Sequence, residues 1–135
     1  MKLPMLLACA LVACGSSEVS GPIARIHRFT GCEVPPGAVR VHEHVGGDAD
    51  RAVIHAKVVI PKPTIDAFVS SCGFERGALV SGFDHSVMLP EESLPWWNPP
   101  EPRVGFGSSS GDAEIFVVER DTDFAVYVRA TANGI

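Results

Sequence analysis

Three histidines sit close enough in the chain to act together. His42 and His44 alternate with valines, and His55 follows a Gly46-Gly47-Asp48-Ala49-Asp50 turn. If Gly46 pairs with Arg51 across that turn, His42 faces His55 and His44 lies diagonally beside them on one face of a hairpin. Three neutral imidazoles within reach could hold zinc or copper. The competing reading is the polar outer face of a sheet, because Lys57 falls on the same face and repels a cation. His42-Glu43-His44 lacks the spacing of the helical zinc-protease motif. Metal binding by His42, His44 and His55 therefore stands as the alternative function and not the leading one.

Nucleophilic chemistry finds less support. Gly107-Ser108-Ser109-Ser110-Gly111 has the letters of a nucleophile elbow. That elbow needs a strand before it, a helix after it and a large parallel sheet, and here a strand follows. Asp84-His85-Ser86 places triad residue types side by side, where they cannot orient one another. No catalytic residue, cofactor or enzymatic activity is implied.

Trp96 and Trp97 stand among the prolines of Leu94-Pro95-Trp96-Trp97-Asn98-Pro99-Pro100-Glu101-Pro102. Two indoles held in a long loop could form a platform for a sugar, a peptide or a protein partner. The competing reading is a lid, one indole sealing the core and the other covering its rim, since large aromatics bury easily. Loops this long are usually functional or disordered.

The amino terminus carries the sharpest signal. Met1 and Lys2 precede an apolar run over 3–12, about half the length of a spanning helix. It ends in Leu11-Val12-Ala13-Cys14, followed by Gly15-Ser16-Ser17. Those four residues resemble the lipobox of bacterial lipoproteins: an aliphatic residue, a tolerant position, a small residue, then Cys. The resemblance implies that 1–13 is a signal peptide removed before Cys14, and that Cys14 carries diacylglycerol and an acylated amine. It also implies a cell-envelope protein. With Gly15 in place of the inner-membrane retention Asp, it points to the outer membrane, facing the periplasm, in a two-membrane cell. Cys9 offers a second candidate, Leu6-Leu7-Ala8-Cys9, but the apolar run before it is too short. Plain secretion is the alternative. Each buried methylene contributes about 0.8 kcal/mol, so two or three acyl chains anchor durably. Residues 14–21 then form a lipidated flexible tether, and 22–135 one small domain.

Charge narrows the partners. The chain has 11 basic against 16 acidic residues, and losing Lys2 with the signal makes the mature protein more acidic still. Nucleic-acid binding is excluded, since phosphate recognition needs clustered Lys and Arg. The membrane, through the lipid, and a protein partner remain. Cys32 and Cys72 are an even pair in an oxidising compartment. A disulfide between them, closing a loop of about 40 residues, would contribute about 4 kcal/mol. Two buried thiols are the alternative.

The elements that must position these groups follow from periodicity. A strand is expected over 23–29, and the hairpin described above over 39–60. Thr64 caps a helix with Ile65, Phe68, Val69 and Cys72 on one stripe, stopped by Gly73. Another strand is expected over 78–83, an irregular stretch over 84–111 with a flexible 105–111, and a hairpin turning at Asp121-Thr122. In that hairpin Ile115, Val117, Phe124, Val126 and Val128 share one face, and Phe116, Val118 and Tyr127 the other. Both faces are apolar, so it lies centrally or is covered on both sides. The predicted architecture is α+β: an antiparallel sheet of about five strands with one short helix on a face, a β-sandwich being the alternative.

Overall fold

A computed structural model describes residues 21–48 and 50–133. The expectations for the signal, Cys14 and nearly all of the tether lie outside the described residues. Among the described residues, no helix is long and apolar enough to cross a membrane.

Among the described residues the protein is α+β, with one antiparallel sheet of six strands, where about five were expected, and two short helices instead of one. In chain order the elements are α1 (Pro22–Thr30), β1 (Arg40–Gly47), β2 (Arg51–Pro61), α2 (Ile65–Ser71), β3 (Val80–Ser81), β4 (Phe106–Ser110), β5 (Ala113–Glu119) and β6 (Asp123–Asn133). Across the sheet the order is β1-β2-β6-β5-β4-β3.

The segment expected as a strand over 23–29 is α1. Ile23, Ile26 and Phe29 recur every three residues, which is a helical and not an alternating period. Pro22 opens the helix, and Gly31 closes it at φ 80° with its N–H on the His27 carbonyl. Proline just inside the start and glycine just past the end are the usual helix punctuation. Ile26 is fully buried. A strand here would have sent Ile26 and Phe29 to opposite faces.

The β1–β2 hairpin forms, but two residues out of the expected register. Gly47 pairs with Ala52, His44 with His55, and His42 with Lys57. The turn is tighter than expected because the Asp48 carboxylate accepts from the N–H groups of Asp50 and Arg51 at 3.0 and 2.9 Å. Gly47 adopts φ +90°, where a Cβ would strike the Arg51 carbonyl. A two-residue slip preserves which face each side chain occupies. Glu43 therefore stays on the apolar face, opposite Ala56, and Arg25 of α1 meets its carboxylate at 2.7 Å.

On that face Ile54, Ala56, Val58, Ile60, Ile115, Val117, Phe124, Val126 and Val128 form one core with Ile26 of α1 and with Ile65, Phe68 and Val69 of α2. The stripe expected on α2 is buried. Thr64 occupies the N-cap position as expected but makes no side-chain capping bond: a 3-10 turn, Lys62–Thr64, precedes the helix, and the Thr64 hydroxyl donates to the Pro61 carbonyl at 2.6 Å. Cys72 follows α2 and is bonded to Cys32, just beyond α1, which staples the two helix ends together. Glu33 N–H on the Ser71 hydroxyl (2.8 Å) reinforces the joint.

The expected strand over 78–83 is reduced to Val80–Ser81, and 105–111, expected as flexible, contains β4. Gly105 and Gly107 serve close approach. A Cβ on Gly107 would strike the Phe83 ring, and one on Gly105 the Phe116 ring. The β5–β6 hairpin matches expectation, with Glu119 paired to Phe124 around Asp121-Thr122 and both faces buried.

Candidate functional site

Strand pairing lays His42, Lys57, Tyr127, Phe116 and Gly107 in one row across the face opposite the helices. The long loop over 82–105 covers this row, and each contact pairs a loop group with a row residue. Phe83 lies against Gly107. The His85 ring meets Phe116 edge-on at 4.7 Å while its Nε2 donates to the Pro100 carbonyl at 2.7 Å. Asn98 Oδ1 accepts from both Lys57 Nζ (2.6 Å) and the Tyr127 hydroxyl (3.1 Å). Burial pushes the Tyr127 phenol up to about 12 and lowers Lys57. Tyr127 thus remains a donor throughout the physiological range.

The tryptophans divide the two roles the sequence allowed. Trp97 is 8% exposed and meets His55 edge-on at 4.9 Å and Tyr127 at 5.2 Å. With Val59, Met88, Phe116, Val118, Ala125 and Tyr127 it makes a second apolar core. Trp96 is only half-buried. It lies flat on His42, with ring centroids 5.2 Å apart and planes 9° from parallel, at the β1 edge of the sheet.

The histidines face the same side but hold different partners. His55 is buried, and its Nε2 lies 2.9 Å from the Met88 carbonyl. A carbonyl only accepts, so Nε2 carries the proton. This bond pins the 3-10 turn His85–Met88 to the sheet. Burial lowers the pKa of His55; Arg129 and His44 act the same way, while the Met88 bond and Glu92 oppose it. His44 Nε2 lies 3.4 Å from Glu92 Oε1. His42 is lowered by burial, then by Lys57 and Arg40, which keeps the ring neutral beneath Trp96. Among the described residues no group of three or more His, Cys, Asp or Glu is placed to hold a metal ion. His44 and His55 are directly paired, but His55 Nε2 is taken by the Met88 carbonyl, and His44 Nε2, 3.4 Å from Glu92 Oε1, has no hydrogen-bond partner among the described residues.

The other sequence candidates are accounted for locally. Ser109 stands within β4, with no strand-to-helix elbow, and Asp84 Oδ1 accepts from Ser86 N–H as the cap of a 3-10 turn. A cleft of ≈ 160 Å³ beside His55 is lined by Glu91, Glu92 and Arg129, among others, and by no Ser, Thr or Cys. Sequence reasoning missed Asn98, which holds Lys57 and Tyr127 of the row, and Met88, which holds His55 beside it. The available signal was the presence of Lys57 and Tyr127 on apolar-flanked strands, where both need a polar partner.

Because His55 is neutral in the fold and titrates near 6.5 when exposed, the unfolded chain binds more protons below that value. Stability is therefore complete above about pH 6.5 and falls as pH drops toward the depressed folded value. Urea midpoints followed by tryptophan fluorescence should decrease between pH 7.5 and 5. His55→Gln, which keeps a donor for Met88, should flatten the decrease. An equally steep decrease in that variant would assign the acid sensitivity elsewhere.

Comparison with family models, with curated proteins and with solved structures found no match.

Proposed function

We propose that this chain is a lipid-anchored bacterial envelope protein. Cys14 carries the lipid, and the non-catalytic domain binds a protein or another envelope component through the Trp96 edge. In a two-membrane cell it sits on the outer membrane facing the periplasm. The observation that carries the binding reading is the division of labour between the indoles. Trp97 is buried within the second core, whereas Trp96 packs against that core only partly buried, a half-exposed aromatic surface backed by a neutral imidazole. Rigid aromatic surface of this kind is what binding hot spots use. The Cys32–Cys72 disulfide fits an oxidising compartment, as export requires. The fold itself reads as two helices packed on one sheet face with a loop closing the other, in place of a second sheet.

Two substitutions test the two halves. Cys14→Ser should move the full-length protein from the membrane to the soluble fraction, and unchanged sedimentation with membranes would refute the anchor. Trp96→Ala should keep the circular dichroism of the wild type while losing capture of an envelope component by the anchored protein. Capture at wild-type level would reduce Trp96 to a cover for His42.

A further inference from the structure

A second apolar feature lies on the opposite side of β1 from Trp96, where the chain enters the fold. Pro22, Ile23, Ala24 and His27 of α1, with Gly21 before it and Val41 of β1, line an open groove of ≈ 470 Å³. His27 is its one polar side chain. Ile23 on its wall is 48% exposed, and Val39, preceding β1, is 65% exposed. The core beneath is complete without any occupant, because Ile26 and Val58 are already buried.

We propose that this groove seats an acyl chain carried on Cys14. The inference rests on the lipid-anchor reading and adds to it a binding site within the domain. Three observations favour this occupant over an apolar peptide or a second copy. The lining offers hydrocarbon and almost no hydrogen-bond partner, which suits a chain without polar groups and leaves a peptide backbone unsatisfied. Gly21, where the tether joins the fold, is itself part of the groove wall. Only 15–20 separate it from Cys14, and six extended residues span at most about 20 Å, so the lipid cannot travel far from the groove. A short linker also holds its cargo at an effective concentration of roughly millimolar, which favours an occupant in cis over a partner in solution. Moving one chain from bilayer to groove exchanges one apolar surrounding for another. The remaining chains keep the protein on the membrane.

The test uses full-length protein from cells grown on a diazirine-bearing fatty acid, irradiated in the membrane, with half the population isotopically heavy. Intact mass first establishes the lipid. Peptide mapping should then find the Cys14 peptide joined to the α1 or Val41 peptide of the same molecule, roughly tenfold above links to the equally exposed Phe106, as the short tether dictates. Ile23→Asp, a half-exposed position whose change spares the core, should cut those links several-fold without loss of lipid. Lipidated protein whose links go only to bilayer lipids, or join a light chain to a heavy one, overturns the groove assignment and leaves the anchor intact. An unmodified amino terminus overturns both.

Discussion

Trp97→Ala should destabilise the protein by about 3–5 kcal/mol, the range for truncating a buried large aromatic, while Trp96→Ala costs far less. The asymmetry follows from position. Trp97 is 8% exposed and touches His55, Tyr127 and Trp96, so its removal opens the second core to water beneath the loop. Trp96 rests on His42 and the rim of the second core and is only partly buried, so its loss uncovers less apolar surface. Trp97→Phe separates packing from polarity. The buried Nε1 of Trp97 has no hydrogen-bond partner among the described residues, so replacing the indole by a ring without an N–H loses volume but removes an uncompensated donor. The phenylalanine variant should therefore fall much nearer to wild type than the alanine variant. Urea denaturation at pH 7.5 measures all three. Equal midpoints for Trp96→Ala and Trp97→Ala would mean that both indoles serve as the lid, leaving the Trp96 edge without a separate binding role.

Removing the disulfide is the second large effect. A Cys32→Ala, Cys72→Ala pair should lose about 2–5 kcal/mol, the range for removing a native disulfide from a small domain. The reason lies in what the bond joins. α1 has nine residues and α2 seven, both too short to be helical without packing. Cys32 lies just past α1, and Cys72 just past α2. The cross-link therefore holds two marginal helices on one sheet face and restricts the unfolded chain over the segment that contains β1, β2 and α2. Alanine at both positions avoids placing a hydroxyl in the fully buried Cys32 site. Hydrogen exchange should show α1 amides losing protection before those of the central β2 and β6, because α1 is tied to the sheet mainly by Ile26 and the Arg25–Glu43 pair. A melting temperature unchanged by the double substitution would show that helix packing suffices alone.

These two effects sit on opposite faces of the sheet, and the faces differed in how far they could be read from residues alone. Alternation in β5 and β6 announced a strand pair covered on both sides. The Ile65, Phe68, Val69 stripe announced α2, and Cys32 and Cys72 were evident partners. These are local patterns, in which burial imprints its period directly on the chain. The same logic held the correct face assignment for His42, His44 and His55 even though the pairing slipped by two, because parity survives an even shift. It fails at α1, where the three-residue spacing of Ile23, Ile26 and Phe29 sits in a segment short enough to read as a strand, and at β4, where glycine and serine carry no period and backbone pairing with β5 supplies the strand.

The loop face was set by tertiary structure. Nothing in the order Trp96-Trp97-Asn98 distinguishes which indole turns inward. That depends on Tyr127 and His55 arriving from two other strands to receive Trp97, and on Lys57 and Tyr127 converging on Asn98. Likewise three histidines on one face suggested a metal, until the fold brought the Met88 carbonyl to one ring and Trp96 to another. Periodicity records whether a residue is buried; it does not record which distant residue it is buried against. The chain alone therefore determined the disulfide pair and the apolar faces. Which side chains form the site was decided by how loop and sheet meet.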